Sequence, residues 1–111
     1  MTKNAPHDAP LNVRLLIKGR VHGVGYRAWC MNKAEALGLK GWVRNITDGS
    51  VEALVYGPAK DVETMIAACS QGPAHAQVTA VERETIEPSP DRIQEKIYGG
   101  FEQLPTHSSK P

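Results

Sequence analysis

An α+β fold of the split β-α-β type is predicted for this 111-residue chain, and three observations predict it. Two segments carry apolar residues at helical spacing, and several shorter runs alternate or cluster as strands do. They succeed one another as β-α-β-β-α-β, with one further short strand near the end. A chain of this length with 41% apolar residues builds one modest core. Two amphipathic helices and an antiparallel sheet then bury each other in two layers, with both helices on one face, which is the ferredoxin-like arrangement.

Each element has its own justification. Residues 1–10 hold Pro6, Pro10 and little that packs, and read as a flexible N-terminal tail. In the first strand Leu11, Val13, Leu15 and Ile17 alternate with Arg14, Leu16 and Lys18, as expected of a strand covered on one face. Tyr26, Cys30, Ala34 and Leu37 then recur at helical spacing over about three turns, and Gly38 supplies the stop.

Lys40 to Asn45 and Val51 to Tyr56 read as two strands joined by a hairpin, because Asp48-Gly49 lies between them. Gly57-Pro58 opens a second helix with an apolar stripe of Val62, Met65, Ile66 and Cys69, closed by Gln71-Gly72-Pro73. Val78 to Ile86 is a fourth strand in which Val78 and Val81 fall out of step, so a bulge or an early end is expected. Residues 87–100 read as a loop, Phe101 to Leu104 as a last short strand, and 105–111 as a C-terminal tail. The folded domain is therefore expected over 11–104.

Composition excludes several classes of function. No apolar run reaches membrane-spanning length, and the start of the chain lacks the apolar core of a secretion signal, so a cytoplasmic location is expected. Two cysteines, Cys30 and Cys69, suit buried thiols better than a disulfide framework or a zinc site. Net charge is only +1, which argues against a general nucleic-acid binder. Its distribution is uneven: residues 14–44 hold seven bases and one acid, +6, leaving −5 for the remainder. A positive stretch of that kind attracts a small anion.

The centre of that stretch is Lys18-Gly19-Arg20-Val21-His22-Gly23-Val24-Gly25-Tyr26-Arg27, a glycine-bearing turn from strand into helix. The first amides of a helix lack intrahelical partners and form a natural anion site. Gly23 and Gly25 can adopt positive φ, which curls successive amides into a concave nest. Arg27 in the first turn can add a planar fork of donors matched to two phosphate oxygens. Neither a P-loop nor a dinucleotide fingerprint fits the spacing.

In the predicted topology the first two strands run parallel with the third between them, so Asn45 ends at the same sheet edge as the glycine turn. Two strand spacings are about 10 Å, a gap that Arg27 and Asn45 can close around one small ligand. Taken singly, Arg27 would be a solvated helix-start arginine, and Asn45 a residue before a turn. Together they form a site without a titrating group near neutrality, a metal-ligand cluster or a nucleophile. Phosphoryl transfer there needs a leaving group that departs unprotonated. A carboxylate qualifies, since its conjugate acid has a pKa of about 4.

Gly19 through Arg27 resembles the first acylphosphatase signature, and Gly41-Trp42-Val43-Arg44-Asn45-Ile46-Thr47-Asp48-Gly49-Ser50-Val51 through Gly57 resembles the second. The resemblance spans roughly residues 11–104. It implies hydrolysis of acyl phosphates to a carboxylate and inorganic phosphate with no cofactor; the site as read from its residues further predicts a metal-free reaction that inorganic phosphate inhibits competitively. The resemblance implies Arg27 as the phosphate-binding arginine, Asn45 as the residue that positions water, and Gly19, Arg20, Val21, His22, Gly23, Val24, Gly25 and Tyr26 as the cradle. His22 stands where the family more often has glutamine, and Tyr26 where it more often has phenylalanine. His22 reads as a loop residue able to add a pH-dependent charge. A monomer acting without nucleic acid or membrane is expected.

The rival reading is a non-catalytic anion- or RNA-binding module on the same fold. Sheet readers of RNA stack bases on aromatics of the central strands. The first strand offers none, and Trp42 and Tyr56 are the only sheet candidates. Trp42, Cys30, Met65 and Cys69 are assigned to packing, Asp48 to the hairpin, and His7, His75 and His107 to the exposed surface.

Overall fold

The computed structural model describes residues 10–86 and 100–108. The expected N-terminal tail except Pro10, the loop segment 87–99 and the last three residues lie outside the described residues. The elements follow the predicted order: β1 (Pro10–Arg20), α1 (Tyr26–Ala36), β2 (Lys40–Asn45), β3 (Val51–Pro58), α2 (Ala59–Gln71), β4 (Gln77–Thr85) and β5 (Phe101–Gln103). They form one five-stranded sheet in the order β4-β1-β3-β2-β5.

The alternation in β1 sorts its side chains between the two faces. Val13, Leu15 and Ile17 are fully buried, and across the antiparallel β1–β3 pairing they meet Val55, Ala53 and Val51, which are buried as well. Each fully buried aliphatic side chain of this size contributes about 1.5–3 kcal/mol. Tyr26, Cys30 and Ala34 of α1 and Val62, Met65 and Cys69 of α2 close the same core. Cys30 and Cys69 are free, buried thiols.

The stop at Gly38 is a Schellman turn. Its φ is +73°, its N–H donates to the Glu35 carbonyl, and the N–H of Leu39 donates to the Ala34 carbonyl. The hairpin also forms as expected, with Asp48 Oδ1 accepting from both the amide and the hydroxyl of Ser50. Those bonds hold the Asp48 carboxyl below its ordinary value.

Three details differ from the sequence expectation. First, β1 does not stop before the glycine turn. Pairing with β4 continues to Arg20 opposite Gln77, so Gly19 and Arg20 belong to the strand. The register slips between Lys18 and Gly19, leaving Thr79 as the extra residue. This is the anticipated bulge, and it lets Val78 and Val81 both pack against the core. A Cβ on Gly19 would lie 2.2 Å from the Gln77 carbonyl oxygen, so the close approach of β4 is what requires glycine there.

Second, β5 pairs with β2 in parallel, Gly41 opposite Phe101 and Val43 opposite Gln103, so the sheet is antiparallel through four strands and mixed at that edge. Third, hydrogen bonding to β2 outlasts β5. Leu104 N–H donates to the Val43 carbonyl, His107 N–H to the Asn45 carbonyl, and Thr47 N–H to the His107 carbonyl. Among the described residues no helix is long and apolar enough to cross a membrane.

Candidate active site

The turn from β1 to α1 spans Val21 to Gly25. Gly23 has φ +71° and Gly25, the N-cap of α1, has φ +77°. A Cβ at either would meet nothing within 4 Å, so the backbone angle and not crowding is what favours glycine. Gly25 offers no side-chain cap. The first helical bond runs from the Trp29 amide to the Gly25 carbonyl at 3.0 Å. Among the described residues, the amides of 23–28 donate to no backbone carbonyl. A helix start with neither a side-chain cap nor an acid in its first turn leaves its positive end unanswered.

Arg27 sits in that first turn. One guanidinium nitrogen, Nη1, donates to the Leu104 carbonyl at 3.4 Å, and among the described residues the remaining donors of the fork meet no acceptor. A cation at a helix N-terminus opposes the macrodipole, and an anion between them removes the conflict.

Asn45 reaches the same place from the sheet. On β2 it follows Gly41 and Val43 on the helix-facing side, one pleat beyond fully buried Val43. Because β3 lies between β1 and β2, the parallel strands β1 and β2 end at one edge, as the sequence predicts. A cavity of about 160 Å³ opens there, lined by Val21, Gly23, Gly25, Tyr26, Arg27, Ala28, Asn45 and Gln103.

The structure therefore brings together Val21, Gly23, Gly25, Tyr26, Arg27 and Asn45, but not all of the expected cradle. Gly19 and Arg20 are strand residues, and neither lines the cavity. Val24 packs against the core instead. The His22 Nε2 donates to the Ser50 carbonyl at 2.8 Å, tying the turn to the β2–β3 hairpin. Tyr26 lines the cavity, but its hydroxyl donates to the Cys69 carbonyl at 2.7 Å. Burial pushes that phenol far above its ordinary pKa, so it stays neutral. Its task is to anchor the start of α1 onto α2.

Gln103 was missed, because its place depends on the parallel β2–β5 pairing. A signal existed in the sequence. Phe101 must turn inward to bury its ring, so the residue two positions on faces the helices too.

On the opposite face of the sheet, Arg14 and Arg44 both donate to Glu52, Arg44 at 2.8 Å. Burial alone would raise the Glu52 carboxyl, but the two arginines outweigh it and hold the group below the ordinary carboxylate range. The Arg44 guanidinium also lies 4.6 Å from the centre of the Trp42 ring. Trp42, one of the two sheet aromatics that an RNA reader could offer to a base, is thus engaged by a neighbouring side chain.

Comparison with known proteins shows what the chain is similar to. A family model described as Acylphosphatase matches residues 13–101. An acylphosphatase of Nitrobacter hamburgensis is 48% identical over 95 residues, covering 84% of this chain and 93% of that protein. One from Azoarcus sp. strain BH72 is 50% identical over 100 residues, covering 89% and 95%. The crystal structure of acylphosphatase from Bacillus subtilis superposes with a TM-score of 0.76 at 30% identity, covering 85% of this chain and 98% of that one.

Proposed function

The chain belongs to the acylphosphatase family and hydrolyses acyl phosphates, and from that premise we propose that Arg27, the amides of residues 23–28 and Asn45 perform the reaction. The observation that supports this assignment is that Gly23, Gly25, Tyr26, Arg27, Ala28 and Asn45 line one cavity, with the amides of 23–28 making no backbone hydrogen bond among the described residues. At about 30 Å³ per water molecule, the cavity has room for a phosphoryl group and one water, while the acyl portion of the substrate extends outside.

The amides and the guanidinium bind the phosphoryl oxygens and meet the charge that develops there. The Asn45 carboxamide orients a water in line with the bond to be broken. The water oxygen bonds to phosphorus, and the phosphorus–oxygen bond to the acyl group breaks. Its electron pair leaves with the carboxylate, and a phosphoryl oxygen accepts the proton of the water. No general acid is required, because the leaving carboxylate is stable unprotonated at neutral pH. No step uses a metal or an organic cofactor.

The same reading takes the protein as a cytoplasmic monomer acting on a small molecule without nucleic acid or membrane partners. Phosphate release from benzoyl phosphate tests the assignment. The wild type should turn over, inorganic phosphate should compete, chelators should leave the rate unchanged, and Arg27→Ala should be inactive. Turnover in Arg27→Ala would remove the arginine from the site.

A further inference from the structure

Gln103 lines the cavity, yet the reaction as described gives it nothing to do. Its position follows from the register. Phe101 is buried toward the helices, so Gln103 shares that face, and it lies opposite Val43 of β2. Asn45 is two residues further along β2 in the same direction. With strands about 4.8 Å apart and about 3.3 Å per residue, the Asn45 and Gln103 Cα atoms stand about 8 Å apart along a diagonal.

Two neutral carboxamides thus enter one small cavity from adjacent strands, displaced along the strand direction. Among the described residues neither carries a side-chain hydrogen bond. The strand that carries Gln103 is tied down on both sides. Gly41 N–H donates to the Gly100 carbonyl at 3.0 Å, Leu104 N–H to the Val43 carbonyl at 2.8 Å, and the Leu104 carbonyl receives Arg27.

Displacement at phosphorus runs in line, with the incoming water and the departing oxygen on opposite sides of the PO₃ unit. One carboxamide can serve only one end of that line. We propose that Gln103 serves the other end: it is a catalytic residue whose Nε2–H donates to the acyl oxygen as the carboxylate departs. This rests on the assignment of Arg27 and Asn45 given above. As the phosphorus–oxygen bond breaks, its electron pair stays on the acyl oxygen, and a donor placed there stabilises that growing charge. A neutral amide does so without holding the product carboxylate as firmly as a cation would. The ligand recognised is the carboxyl end of any acyl phosphate, whatever its side chain.

Steady-state kinetics with a series of ring-substituted benzoyl phosphates tests this, using the wild type, Gln103→Leu, Gln103→Glu and Arg27→Ala. Gln103 is exposed, and unfolding curves of the two Gln103 variants confirm that they are folded before rates are compared. Gln103→Leu should lower kcat/KM about tenfold, as for loss of a transition-state hydrogen bond. Its rates should depend more steeply on the acidity of the leaving acid, and inhibition by inorganic phosphate should be unchanged. Gln103→Glu should be slower still, since it sets a negative charge against the departing carboxylate. An unchanged rate and slope in Gln103→Leu would overturn the proposal. So would a parallel loss of phosphate inhibition, which places Gln103 at the phosphoryl end. Arg27→Ala separates the two ideas: if it retains turnover the site assignment fails, whereas inactivity there with wild-type behaviour in Gln103→Leu removes only the role of Gln103.

Discussion

Arginines on the two faces of the sheet meet opposite fates. On the face away from the helices, Arg14 and Arg44 converge on Glu52, Arg14 also approaches Glu84 at 3.7 Å, and Lys18 pairs with Glu82 at 3.1 Å. At the helix-side cavity Arg27 meets, among the described residues, the Leu104 carbonyl. Both regions draw on the same basic stretch of sequence, but one is neutralised by acids from β3 and β4 and the other meets no acid among the described residues. Under the proposed assignment the anion site lies where folding leaves positive charge without an acid partner, and the number of bases nearby is a poor guide to it. The paired face contributes stability, and the proposed assignment gives the chemistry to the other.

Four experiments would break or sharpen that contrast. The largest effect is expected at the unpaired end. Arg27→Lys keeps the charge but loses the fork, and turnover of benzoyl phosphate should fall by on the order of 10³-fold, with thermal stability unchanged. Near-wild-type turnover would mean that charge alone suffices. Asn45→Ala should lower kcat by on the order of 10²-fold while the phosphate inhibition constant holds. Weakened phosphate inhibition would instead make Asn45 a binding group.

On the paired face the expectation is reversed. Glu52→Gln should cost about 2 kcal/mol in urea unfolding. That is below the roughly 3–5 kcal/mol of a fully buried broken pair, because the Arg14 side chain keeps 39% of its exposure. Activity of the folded protein should be retained. The pH dependence has a definite sign. The folded Glu52 carboxyl titrates lower than the unfolded one, so its stabilisation is complete above the unfolded pKa of about 4.3 and disappears as pH falls through the lower folded value. Acid unfolding of Glu52→Gln should accordingly be less steep than that of the wild type.

The smallest effect in this group joins the two measurements. Gly25→Ala meets no steric obstacle; holding φ positive costs an alanine about 1–2 kcal/mol, and relaxing toward negative φ swings the neighbouring amides out of the nest. Phosphate inhibition should weaken together with stability. Loss of stability with inhibition intact would show that the amides of this turn do not hold the anion.

The order of elements, the hairpin at Asp48-Gly49, the stop at Gly38 and the bulge near Val78 were legible because each depends on neighbours within a few residues: turn chemistry, helical period or strand alternation. Arg27 and Asn45 were legible as neighbours at one cavity because the split topology dictates which strand ends share an edge. The edges of the cradle were less so. Gly19 reads as part of a phosphate loop by its place between glycines, whereas it stands in β1 under the close approach of β4. His22 resembles a possible charged participant, but its ring donates to the Ser50 carbonyl.

By itself, then, the sequence determined the local structure and the meeting of Arg27 and Asn45 at one cavity, since period, turn residues and the order of the elements act through chain connectivity. Only the tertiary structure decided which of the seven bases stay unpaired, where β1 ends, and that Gln103 joins the cavity wall. Those outcomes hang on pairings between residues dozens of positions apart, Glu52 with Arg14, Gln77 with Arg20 and Gln103 with Val43. Burial and backbone hydrogen bonding across the sheet select such pairings, and no local pattern in the chain encodes them.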